Sequence, residues 1–313
     1  MEKQNTAIGG FNTNMIDLKR ILSPGVRRNL MYGLFFLPDE LYIKLFYFSI
    51  SGKWMDLKNP KGFNEKQNWL KLHDKHPEYT SLVDKYAVRK HIDSLLGEGH
   101  LFPLLGKWKS FDDIDFSMLP NSFVLKCNHD SGSTQIIRDK KALSEKDLIE
   151  LKSRFNAQLK KNSFYAGREY PYKGIKERFI LAEQLMIDEK MPQKSIEDYK
   201  FFCFNGEPKV MFIATDRATD CRFDFFDMDF NHLDIENLHP HADKLIPKPE
   251  MFEEMKQIAA KLSRGMKFVR IDLYQLNGKI YFGEYTFFHG GGFAPFYPEE
   301  WERRLGNWIE LRG

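Results

Sequence analysis

The stretch that decides the fold is Phe268-Val269-Arg270-Ile271-Asp272-Leu273-Tyr274, followed by Asn277-Gly278 and then Lys279-Ile280-Tyr281-Phe282-Gly283-Glu284-Tyr285-Thr286-Phe287. Val269, Ile271 and Leu273 alternate with Arg270 and Asp272, so the apolar and ionisable residues leave opposite faces of one strand. Asn277-Gly278 is a hairpin signal, which makes the two runs an antiparallel pair. A cation and two carboxylates, Arg270, Asp272 and Glu284, therefore stand in an apolar hairpin and need partners. A buried ion pair meets that need. So do two carboxylates holding Mg²⁺, with the arginine on a transferring phosphoryl group. The second arrangement requires one face for both acids. A regular two-residue turn would set Asp272 opposite Gly283 and turn Glu284 away. A three-residue loop (Leu276 to Gly278) or a compensating bulge is therefore expected.

Working outward, Tyr199 to Phe204, Asn205-Gly206 and Lys209 to Ile213 read as another hairpin, and Arg222 to Phe230 as a further strand and turn. Ser122 to Cys127, Gln135 to Arg138 and Phe179 to Ile187 also read as strands. Helices are expected between Asp84 and Gly97, from Ser144 through Leu148, Leu151, Phe155 and Leu159, over Pro249 to Ser263, and after Pro298. Helices come first, then antiparallel strands with helices laid between them, which is α+β and disfavours a doubly wound parallel sheet.

The chain has 313 residues, enough for about two domains. Its net charge of +3 is too mild to argue for nucleic-acid binding. Cys127, Cys203 and Cys221 include no CxxC pair, which excludes a disulfide scaffold and a structural zinc module of cysteines. There is no secretory h-region and no apolar run of 18 residues, so a cytoplasmic location is expected. Residues 24–50 interleave Arg27, Arg28 and Lys44 with aromatic and aliphatic residues, and Leu41, Leu45 and Phe48 share a helical face. That pattern fits packing on a neighbouring domain, or an interfacial helix at the inner face of a membrane.

Three further pieces could carry chemistry. Phe123 to Cys127 delivers Lys126 at a strand end, and Asn128-His129-Asp130-Ser131-Gly132-Ser133 follows. Such a small polar loop lets backbone N–H groups approach a phosphate. It is not a Walker loop. Leu181-Ala182-Glu183-Gln184-Leu185-Met186 is a strand end that could face an adenine edge. Asp227-Met228-Asp229 matches the metal motif of nucleotide-sugar glycosyltransferases, or simply a hairpin edge.

In this order the pieces resemble an ATP-grasp enzyme. Gly62-Phe63-Asn64-Glu65-Lys66, Leu82 to Arg89, Phe123 to Ser133, Asp198 to Gly206 and Phe282 to Thr286 resemble the TupA-like ATP-grasp family of polysaccharide gene sets over about residues 55–311. The resemblance implies antiparallel sheets clamping ATP, preceded by a helical region. The expected layout is a flexible tail (1–23), a mainly helical region (24–118) and an ATP-grasp domain (119–313) with subdomains 119–195 and 196–313. It implies that Lys126 meets the phosphates, that Ser131, Gly132 and Ser133 cover them, and that Glu183, Gln184 and Met186 belong to the hinge strand. Asp272 and Glu284 would hold Mg²⁺, with Thr286 where the family usually has Asn, and Arg270 would steady the phosphoryl group. Lys200 would reach ATP or pair with Asp198. Arg217, Arg222 and His289 are the expected substrate-side residues, His289 as a general base. The implied activity is an ATP-dependent carboxylate–amine ligase joining an amino acid to a uronate glycan or its precursor. The rival readings are a glycosyltransferase and a non-catalytic glycan or membrane adaptor.

Overall fold

The computed structural model describes residues 32–189, 196–216 and 220–311. The expected tail over 1–23, the start of the aromatic segment and Arg217 lie outside them. The helices are α1 (Asp39–Ser51), α2 (Phe63–His73), α3 (Tyr79–Val83), α4 (Val88–Leu96), α5 (Glu145–Leu159), α6 (Phe164–Gly167), α7 (Tyr170–Lys173), α8 (Phe252–Leu262) and α9 (Glu300–Asn307). The strands are β1 (Leu104–Trp108), β2 (Phe123–Cys127), β3 (Gln135–Ile137), β4 (Ile180–Gln184), β5 (Asp198–Phe204), β6 (Glu207–Thr215), β7 (Arg222–Asp227), β8 (His232–Leu233), β9 (Phe268–Leu276) and β10 (Lys279–Thr286).

They form two sheets, ordered β1-β4-β2-β3 and β10-β9-β5-β6-β7-β8. Every strand pairing among the described residues is antiparallel. The α+β expectation therefore holds. The four-stranded sheet begins earlier than residue 119, because β1 falls in the region read as helical and pairs with β4. The helical region is also not a separate layer. Phe63, Leu70, Tyr79, Leu82, Val88 and Ile92 belong to the same core as Phe201, Phe212, Ile271 and Tyr285 of the six-stranded sheet.

Local chemistry explains the boundaries. At α2, the Glu65 carboxylate accepts from the backbone N–H groups of Lys61, Gly62 and Asp56 and closes the N-terminus. Ser144 and Asp147 form a reciprocal cap on α5, whose Leu151 and Phe155 are buried beneath the smaller sheet. The β5–β6 turn places Asn205 and Gly206 at φ 51° and 83°, which suits a two-residue hairpin. α2 is clasped by α9: Asn64 donates its backbone N–H to Glu302 at 3.1 Å, and Lys66 reaches the Ile309 carbonyl at 2.8 Å.

Within the described part of the aromatic segment, one set of side chains packs and another stays exposed. Tyr42 and Ile43 of α1 are buried with Met55, Leu57 and Phe293. The Arg168 guanidinium, itself buried, donates to the carbonyls of Leu34, Phe35 and Leu37. Phe35, Phe36, Leu41 and Leu45 remain exposed. The face that packs is thus Tyr42 and Ile43, and Leu41 and Leu45 point out. No helix among the described residues is long and apolar enough to cross a membrane.

Candidate active site

A cleft of about 580 Å³ lies between the two sheets, a size that suits a nucleotide. Its floor comes from β5, β9 and β10. Backbone register puts Lys200 opposite Asp272 and Asp272 opposite Glu284, one row across three strands. The next row is Phe202, Arg270 and Thr286.

The hairpin that makes this row has a regular two-residue turn, with Leu276 paired to Lys279. The three-residue loop does not form; the compensating bulge does. Register shifts by one between Phe282 and Glu284, leaving Gly283 as the extra residue. A Cβ at Gly283 would sit 2.9 Å from the Tyr274 ring and 3.0 Å from the Asp272 carbonyl oxygen. Any Cβ here would push the Tyr274 ring or the Asp272 backbone aside, and the bulge returns Glu284 to the face of Asp272.

Arg270 forks onto Asp272, with Nε at 2.6 Å from Oδ1 and Nη2 at 2.7 Å from Oδ2. The same guanidinium reaches the Thr286 hydroxyl at 3.0 Å and Glu284 at 3.5 Å. Lys200 lies between Asp272 and Asp198, pairing with the latter at 2.6 Å. Burial alone would raise the Asp272 carboxyl, but the Arg270 and Lys200 charges and their hydrogen bonds hold it well below the usual carboxylate range. Glu284 keeps a third of its side chain exposed and lines the cleft.

His289 is not placed to act as a base. Arg270 can only donate, so the 2.8 Å contact makes His289 Nδ1 the acceptor. Nε2 then carries the proton and donates to Asn237 Oδ1 at 2.7 Å. Burial first, and the Arg270 charge second, hold this imidazole neutral, far below its ordinary range. Both nitrogens are occupied inside the core. Its role is to fix Arg270.

The opposite wall is basic. Lys126 of β2 pairs with Glu183 of β4 at 2.5 Å, and Arg89 of α4 pairs with the other carboxylate oxygen at 3.2 Å. Glu183 thus orients two cations. Lys85 and Arg138 line the same wall, and Lys85 holds the loop through the Asp130 carbonyl. Ser131 and Gly132 line the cleft, with Gly132 at φ 109°. Ser133 does not. Its hydroxyl accepts from the Cys127 N–H at 2.7 Å and donates to Asp130 at 2.6 Å, so it braces the loop from within. Gln184 to Ile187 line the far end, and Asn277 braces that segment through the Ile187 carbonyl and the Glu189 N–H.

Arg222 stands at the start of β7, on the far side of the larger sheet, where it pairs with Asp220. It is not at the cleft. Asp227 is likewise spent: it accepts from the N–H groups of Asp229 at 3.0 Å and Asn231 at 2.8 Å and closes a turn. Lys85 and Arg89 carry no functional signal in the sequence pattern; the turn that leads into α4 brings both to the cleft wall. Nor does any local pattern signal Glu169 or Lys71. Lys71 donates to the carbonyls of Gly167 and Gly291, and burial pulls its ammonium down. Burial likewise pushes the Glu169 carboxyl up, beside the charges of Lys71, Glu284 and Arg270.

A family model for TupA-like ATPgrasp proteins matches residues 65–310. The chain belongs to the TupA-like ATP-grasp family. Membership makes it an ATP-grasp enzyme, and ATP the ligand its fold binds. None of the curated proteins matches. Among solved structures, D-alanine–D-alanine ligase from Bacillus anthracis is similar at 16% identity, covering 80% of this chain and 69% of that one, with a TM-score of 0.41. D-alanyl-alanine synthetase A from Vibrio cholerae is similar at 15%, covering 73% and 65%, at 0.38. The ATP-grasp ligase PsnB, complexed with minimal precursor, Mg and ADP, is similar at 11%, covering 95% and 75%, at 0.38. The family match alone makes the assignment.

The donor set also fits the Mg²⁺ such a family implies. Asp272, Glu284 and Thr286 offer only hard oxygen ligands. In the floor cluster Arg270 and Lys200 face three carboxylates, Asp198, Asp272 and Glu284. That leaves a negative excess, and Glu284 turns it toward the cleft.

Proposed function

We propose that this ATP-grasp enzyme is a carboxylate–amine ligase that forms an amide through an acyl phosphate. The proposed substrates are an amino acid and a uronic-acid-containing surface polysaccharide or its precursor. The observation that carries this reading is the row Lys200–Asp272–Glu284, whose Lys200 and Glu284 line a nucleotide-sized cleft opposite a basic wall while Asp272 and Arg270 lie buried just beneath its floor.

Lys126, Arg89 and Lys85 would draw the phosphates to the wall, and Ser131 and Gly132 would close over them with backbone N–H groups. Gln184 to Met186 would receive the adenine edge. Asp272 and Glu284 would hold Mg²⁺, with Thr286 beside them; when bound it neutralises phosphate oxygens. A carboxylate is a poor electrophile until phosphorylated. Arg270, fixed by His289 and Thr286, would steady the phosphoryl group during transfer. The amine then attacks and phosphate leaves.

The direct test is ATP turnover against a panel of amino acids and uronate oligosaccharides, with mass spectrometry for the amide. Turnover of none of them, together with a thermal shift by UDP-sugars and not by ATP with Mg²⁺, would replace this reading with a glycosyltransferase. ATP binding without any turnover would favour an adaptor.

Lys126→Met should weaken ATP binding about 10- to 100-fold, the loss of one charge-assisted contact. Glu183 keeps Arg89 as a partner, so the melting temperature should fall only modestly. Unchanged ATP affinity by calorimetry would remove Lys126 from the phosphate site.

Peripheral contact with the inner face of a membrane is part of the same proposal, through Phe35, Phe36, Leu41 and Leu45. Deleting the segment would also remove the buried Tyr42 and Ile43. The clean variant is Phe35→Ser with Phe36→Ser. It should leave anionic vesicles in a flotation assay with its melting temperature unchanged; undiminished flotation would rule these residues out.

A further inference from the structure

We propose that Asp224, His232 and His241 form a binding site for a divalent d-block cation, Zn²⁺ above all, at the far edge of the six-stranded sheet. It is separate from the ATP cleft and does not depend on the ligase reading. Along β7, Asp224 and Phe226 leave the same face. His232 of β8 pairs with Phe226 and so emerges beside Asp224. The chain then returns over this face. The Phe223 N–H donates to the Pro240 carbonyl at 3.0 Å, and the Ala242 N–H to the Asp224 carboxylate at 3.2 Å. His241, between those two anchors, is held above the strand, and Arg222 fixes its carbonyl at 3.1 Å.

The result is a convergent set of ligand atoms. His232 Nε2 lies 3.3 Å from Asp224 Oδ1, and His241 Nδ1 lies 3.6 Å from the same oxygen. One ligand atom from each residue falls within 4.8 Å of the others. Ligands bound tetrahedrally to zinc at their usual bond lengths stand about 3.3 Å apart, so the two Asp224 spacings already match and the two imidazoles need only close on each other. Both ring nitrogens of His241 are shut from solvent without a hydrogen-bond partner, a cost that a metal bond at Nδ1 would remove. The other nitrogen, Nε2, is 3.9 Å from the exposed Asp234 carboxylate, which a small side-chain rotation would bring to the hydrogen-bond distance at which an outer acid orients a metal-bound imidazole. Asp224 is buried, whereas the His232 side chain is 46% exposed. Water can therefore reach a fourth position. Two imidazoles and one carboxylate select zinc-like ions over Mg²⁺. Bound there, the ion would clip β8 and the returning loop to the sheet edge.

The test is calorimetric titration of tag-free, chelator-treated full-length protein with Zn²⁺ alone, then with Mg²⁺ alone. The expected result is one Zn²⁺ per chain at this site, no competition from Mg²⁺, and retained ATP binding. His232→Gln and His241→Ala should each weaken Zn²⁺ binding by well over tenfold, and Asp234→Ala by about tenfold, all with the ATP-induced thermal shift intact. His232 is exposed enough that its variant should fold. Absence of stoichiometric Zn²⁺ binding, or binding unchanged in the His232→Gln/His241→Ala double variant, overturns the proposal.

Discussion

Asp272→Asn is expected to lower turnover about 10²- to 10³-fold and to cost about 3–5 kcal/mol of stability. Both effects come from one carboxylate. It takes the forked contact of Arg270 and the ammonium of Lys200 while almost wholly buried. Asparagine keeps the shape and loses the charge, leaving two buried cations with only Asp198 and the one-third exposed Glu284 to balance them. The pH dependence has a definite sign. The folded-state Asp272 carboxyl is depressed to about 2, against about 3.9 in an unfolded chain. Its stabilisation is therefore complete above about pH 4 and is lost as pH falls toward 2. Acid unfolding followed by circular dichroism should show this limb in the parent and not in the variant. A variant with parental turnover would remove Asp272 from the site.

Gly283→Val should be nearly as damaging, from a residue with no chemistry of its own. The added side chain must displace the Tyr274 ring or the backbone of Asp272. The strand can relieve that strain by giving up the bulge, and the hairpin would then revert to uniform register. Glu284 would turn to the other face, away from Asp272 and the cleft. Turnover should fall at least about 100-fold, while overpacking costs about 1–3 kcal/mol. Gly283→Ala should be intermediate. Full activity in Gly283→Val would show that the row of acids does not depend on the bulge.

What the sequence reveals about this site is what strand periodicity and turn chemistry control. Arg270 and Asp272 can be placed on one face by alternation alone, and Asn277-Gly278 announces its hairpin. Register arithmetic shows that a loop or bulge must intervene, but choosing between them requires the contact of Gly283 with Asp272, which no local pattern encodes. β1 escapes notice because Leu104 to Trp108 is short and includes a glycine, and it becomes a strand only through β4. Ser133, Arg222 and His289 have the right residue types for a site. Their hydrogen bonds are fixed by partners elsewhere in the fold, Asn237 for His289 being 52 positions away. Lys71 is hidden for the same reason: its carbonyl partners are 96 and 220 positions along the chain.

The clasp of α2 by α9 also sets a timetable. Asn64 and Glu302 are 238 positions apart, so at about 5–20 residues per second a ribosome needs roughly 12–48 s to supply the second after the first. Throughout that interval Phe63 and Leu70 lack Trp301 and Leu305, which share their core, and the backbone N–H of Asn64 lacks its acceptor. The nascent chain must carry a sticky, half-satisfied helix for most of its synthesis. A chain stopped short of Trp301 would leave that apolar face uncovered, and should be more prone to aggregation and proteolysis than one that has completed α9.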